Sequence, residues 1–108
     1  MNTTVTKGAD GWQAQTDFDL DTVQGKKRIV RLSTHKSNGK LLTAATLFHV
    51  NPDGHISRDL TGDFYAVMMR SPTRCTQKSV EHQHSLYTCK EAEIKALALE
   101  FYAKKKAA

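Results

Sequence analysis

From Trp12 to Asp21 the chain alternates without a break: Trp12, Ala14, Thr16, Phe18 and Leu20 stand between Gln13, Gln15, Asp17, Asp19 and Asp21. Successive side chains of a strand point to opposite faces, so this spacing predicts a half-buried strand with one oily and one acidic side. Thr22 to Gly25 supplies a turn, and Lys26 to Lys36 a second strand in which Ile29, Val30 and Leu32 interrupt strict alternation. Ser37-Asn38-Gly39 then gives a strong hairpin signal, because Asn-Gly accepts the positive φ angles of a type I′ turn. Lys40 to Val50 is apolar on both parities, with Leu42, Ala44, Phe48 and Val50 on one and Leu41, Ala45 and Leu47 on the other. A strand of that kind belongs inside a sheet or beneath a helix.

Asn51-Pro52-Asp53-Gly54 is a turn by its chemistry: Pro presets φ, Asp bonds its own backbone and Gly accepts a left-handed angle. A short strand over His55 to Leu60, a turn at Thr61-Gly62-Asp63 and an apolar strand from Phe64 to Arg70 follow, the last ended by Ser71-Pro72. Residues 73–87 fit a polar edge strand and a short helix equally, since Val80 is their only aliphatic residue before Leu86. Thr88-x-x-Glu91 has the form of a capping box. It predicts one helix from Cys89 onward, with Ile94, Leu97, Ala98 and Phe101 on its apolar stripe. A one-sided sheet needs a lid, and this helix is the long amphipathic element available to it. The expected architecture is therefore α+β: an antiparallel sheet of about five strands in meander order, with one C-terminal helix packed on one face.

The 108 residues and 39% apolar content suit one domain over 1–108, with residues 1–10 expected to be flexible and 103–108 forming a basic tail. No apolar run reaches the ~18 to 20 residues of a membrane span, and the chain opens on polar residues, so a cytoplasmic location without membrane contact is expected. Two cysteines outside any Cys-x-x-Cys pair do not make a disulfide framework, although Cys75 and Cys89 could pair in an oxidising compartment.

Charge sharpens the picture. Residues 1–25 carry −3, 26–50 carry +6 with no acid, 51–85 are neutral and 86–108 carry +2. A localised positive surface attracts polyanions, because each neutralised phosphate releases counterions. The sequence thus points to a small basic module binding nucleic acid, single-stranded DNA or RNA, through Lys26, Lys27, Arg28, Arg31, Lys36 and Lys40. Tyr65 is its expected stacking platform; Phe48 and Tyr102 compete for core positions. The same run also fits a merely solvated hairpin whose cations face the aspartates of residues 17–21 across the sheet. The alternative function is a protein-interaction or dimerisation module, since acidic and basic patches are complementary and an edge strand can recruit a partner; a homo-oligomer is expected.

Catalytic signatures are missing. There is no nucleophile elbow and no Gly-rich phosphate loop, and the carboxylates Asp17, Asp19 and Asp21 need no function to explain them on a solvent face. His82-x-His84 with His35, Cys75 and Cys89 is a scattered set without zinc spacing. The expectation is a non-enzymatic protein without metal or cofactor.

Overall fold

The computed structural model describes residues 3–58 and 64–107. Among them are strands β1 (Thr3–Gly8), β2 (Gly11–Val23), β3 (Lys26–Ser37), β4 (Lys40–Val50), β5 (Ile56–Arg58) and β6 (Tyr65–Ser71), then helices α1 (Gln77–Thr88) and α2 (Glu91–Ala107). The α+β class and the antiparallel meander hold, with strand order β1-β2-β3-β4-β5. β6 returns to β4 as well: β5 pairs along Phe48 to Val50 and β6 along Leu41 to Thr46. β4 is thus an interior strand, as its two apolar parities require.

The register sorts the side chains. Ala14, Thr16 and Phe18 stand opposite Thr34, Leu32 and Val30, which stand opposite Thr43, Ala45 and Leu47. All nine are buried. Both helices lie on this face: Ile94 and Ala98 of α2 pack on Phe18, Val30, Leu32, Ala45 and Leu47, and Val80 of α1 packs with Ala14 and Leu41. Over the other face lies no described helix. It carries Asp17, Lys27, Arg31, Phe48, Val50 and Tyr65.

Four expectations are corrected. Two helices follow the sheet instead of one. The undecided segment 73–87 contains α1, whose capping box is Thr76 with Ser79. Thr88 does not open a helix: it closes α1, with Cys89 as C-cap, and α2 begins at Glu91. Of the predicted stripe, Ile94 and Ala98 are buried and Phe101 half-buried, but Leu97 is exposed, because the i, i+4, i+7 row of Ile94, Ala98 and Phe101 faces the sheet and Leu97 lies on its flank. The first residues, expected to be flexible, form β1 from Thr3, paired to β2 through Thr3 and Thr16, Val5 and Ala14. The turn expected at Thr61–Asp63 lies outside the described residues.

Helix α1 is held by polar contacts that periodicity does not reveal. Gln83 donates to the Leu41 carbonyl and to Thr43 Oγ1, both at 3.0 Å. Thr43 and Thr34 hydroxyls are 2.8 Å apart, Thr34 is 2.7 Å from His84 Nδ1, and His84 Nε2 is 2.7 Å from Thr16, itself 2.7 Å from Thr3. One ordering of protons satisfies the whole chain. Gln83 fills a lone pair of Thr43; Thr43 then donates to Thr34, Thr34 to Nδ1, and Nε2–H to Thr16. His84 is buried, and desolvation lowers its pKa from 6.5 to about 4, so the neutral ring is the form this network holds.

Candidate nucleic-acid interface

The cations of β3 divide three ways. On the uncovered face, Arg31 binds Asp17 through two hydrogen bonds, at 2.9 and 3.1 Å, with its guanidinium 4.5 Å from the centre of the Phe48 ring. Lys27 meets Asp19 at 2.9 Å. Arg28 lies on the helix side, bound by two hydrogen bonds to Asp21 and stacked 3.9 Å from the Tyr102 ring centre. The last pairing depends on a bulge between Asp19 and Asp21, which moves Asp21 off the solvent face that strict alternation gave it.

Arginine held by both a carboxylate fork and an aromatic face is poorly placed to receive a phosphate, which would have to displace both partners. The predicted residues therefore do not form one stripe. Lys26 opens β3 and Lys36 lies near its end, about 33 Å apart at ~3.3 Å per residue, with the paired cations between them. Tyr65 is 51% exposed, but it stands opposite Thr46, far along β4 from the hairpin turn.

Lys36 and Lys40 remain together, and the structure adds Arg74 to them. The β3–β4 turn is the expected one, with Asn38 at φ 50° and Gly39 at φ 75°. It sets the two lysines on adjoining strand ends, Ser37 facing Lys40 and Lys36 facing Leu41. Leu41 also faces Ser71, so β6 delivers Pro72 to Cys75 to the same end of the sheet. That segment is anchored on the β1–β2 turn: the Cys75 thiol donates to the Trp12 carbonyl at 3.1 Å. Gly11, at φ 114°, leaves room for the sulfur, which would lie 3.2 Å from a β-carbon there. Both cysteines are free thiols.

The result is a cleft of about 320 Å³ lined by Lys36, Lys40, Arg74, Thr73 and Asp10 among others. A second, of about 260 Å³, adjoins it through Lys36 and Asp10 and is lined also by His35 and the half-buried Trp12. No carboxylate of the described residues forms an ion pair with Lys36, Lys40 or Arg74. Along α2 Lys95 meets Glu91 and Lys104 meets Glu100, whereas Lys26, Arg70, Lys78 and Lys90, like the three cations of the cleft, form no ion pair with a carboxylate of the described residues. No known family model, curated protein or solved structure matches this chain.

Arg74 and Trp12 were absent from the sequence-predicted set for different reasons. Arg74 follows the predicted strands in the segment left undecided, so nothing placed it near the hairpin. Trp12 shares the parity of the oily face and reads as core; it is half-buried against the Ala14, Leu41 and Val80 cluster, lines the second cleft, and has the Lys7 ammonium over its ring, 5.9 Å from the centre. His82 is exposed and His84 buried, and no three His, Cys, Asp or Glu side chains of the described residues gather as a metal site.

Proposed function

We propose that this protein is a non-catalytic module that binds single-stranded nucleic acid at the hairpin end of its sheet. Lys36, Lys40 and Arg74 take successive phosphates and Trp12 offers an indole to a base. The observation that carries this reading is the set of three cations, free of carboxylate partners among the described residues, around a concave surface that adjoins an aromatic side chain. Phosphates supply the affinity and are sequence-blind, while an aromatic face adds stacking available to any base. The interface differs from the sequence expectation in its place: Lys27, Arg28 and Arg31 fasten β3 to β2, and Tyr65 takes no part.

Trp12 is the single tryptophan, so its emission reports the site directly. Titration with a short single-stranded oligonucleotide at low salt should quench that emission saturably. Three phosphate contacts on a single strand give a slope of log affinity against log salt of about −2, or roughly a 20-fold loss between 50 and 200 mM salt. Lys36→Ala and Arg74→Ala should each weaken binding and make the slope shallower by about 0.7, with thermal unfolding unchanged. Absence of quenching at low salt, or binding indifferent to both substitutions, refutes the proposal. Equal competition by inorganic pyrophosphate would reduce it to a simple anion site and refute the strand reading.

A further inference from the structure

The sheet protects its edges unequally. β1, one outer strand, is polar and carries Lys7; the stretch of β2 that runs past it carries Asp17, Asp19 and Asp21. Charges of this kind discourage a second chain from adding on. β6 forms part of the opposite edge, and from Tyr65 to Met69 it has no charge and no proline. Its main chain is paired to β4, and the Met68 carbonyl also accepts the Tyr87 hydroxyl at 3.3 Å. The remaining outward N–H and C=O groups have no described hydrogen-bond partner in the chain. Beside this edge the uncovered face is apolar, with Tyr65, Val67 and Ile56 at 51%, 40% and 47% exposure.

We infer that β6 pairs antiparallel with β6 of a second copy, joining two sheets into one. The second copy is the occupant the strand itself specifies. Tyr65, Val67 and Arg70 all point to the uncovered face, since they stand opposite Thr46, Ala44 and Leu42. In an antiparallel pairing centred on Val67, with Met68 the bulged residue of each strand, Arg70 of each copy stands across from Tyr65 of the other. The strand's one charge thereby meets its exposed aromatic ring twice, as two cation–π pairs related by the two-fold axis. A closed pair leaves no second β6 edge exposed, so assembly stops at two.

Analytical ultracentrifugation of the full chain without nucleic acid, from low micromolar to near-millimolar concentration, tests this independently of the strand-binding proposal. A monomer–dimer equilibrium is expected that barely responds to salt, unlike the binding of a polyanion. Val67→Lys puts two like charges at the axis from an exposed position, and it should raise the dissociation constant about tenfold or more while leaving unfolding unchanged. Arg70→Glu should weaken the dimer in the same way. Amide exchange should show outward β6 amides protected at high concentration and open on dilution. A monomer throughout overturns the inference, as does a dimer indifferent to Val67→Lys. A chain whose β6 amides become protected only when a foreign strand peptide is added also overturns it, in favour of a different partner.

Discussion

Acid should loosen this protein through one side chain. His84 is 1% exposed, with each ring nitrogen 2.7 Å from a threonine hydroxyl. The neutral ring can donate at Nε2 and accept at Nδ1. A protonated ring must donate at both, so Thr34 has to turn its hydroxyl proton toward Thr43, which already receives an N–H from Gln83. The folded state thus resists protonation, in keeping with a pKa lowered to about 4 by burial, against 6.5 when unfolded. Between those values the unfolded chain binds more protons. The stabilising difference is complete above pH 6.5, shrinks as pH falls and is gone below about pH 4. At 1.36 kcal/mol per unit, it amounts to about 3 kcal/mol. A domain of this length has roughly 5–15 kcal/mol in all, so the loss is a large share. Urea unfolding at steps between pH 7 and pH 4 measures it. His84→Gln lowers stability at pH 7 but removes this group's titration, so the difference between the two proteins should narrow on acidification. If it stays constant, or if an NMR titration puts the His84 pKa at 6.5 or above, the reasoning is wrong.

Two further outcomes follow from side chains of α2. The Tyr102 hydroxyl is buried without a hydrogen-bond partner among the described residues. Tyr102→Phe should therefore leave the Arg28 stack in place and raise the urea midpoint, by about 1 kcal/mol in stability, whereas a loss would show that the hydroxyl is satisfied. Ile94 is 2% exposed within the main apolar cluster. Ile94→Ala should cost about 2–5 kcal/mol and increase amide exchange across α2; a smaller cost would mean that the helix is not anchored there.

How far the sequence could be read depends on which physical signal each element uses. β2 and β4 were legible because hydrophobic parity alone decides their faces, and the turns at Asn38-Gly39 and Asn51 to Gly54 because backbone chemistry decides theirs. α1 was not. Three of its residues are buried, and two of them, Gln83 and His84, are polar side chains satisfied by threonines three strands wide. β1 escaped for a similar reason, since Val5 is its single apolar side chain and its hold on β2 is mostly main chain. Thr88 misled because a capping sequence promises only that a helix can begin there. The preceding helix was still running through it. The candidate site was half visible: Lys36 and Lys40 lie in the hairpin, but Arg74 joins them through the registry of β6 on β4, which no local pattern encodes.

The bulge at Leu20 lets one strand tie down both layers. Flattened into the ladder, Leu20 would face Arg28 and Asp21 would face Lys27 on the uncovered side, parting the guanidinium under α2 from its carboxylate. Deleting Leu20 would instead keep Asp21 opposite Arg28 and strip an apolar side chain from the rim of the main cluster.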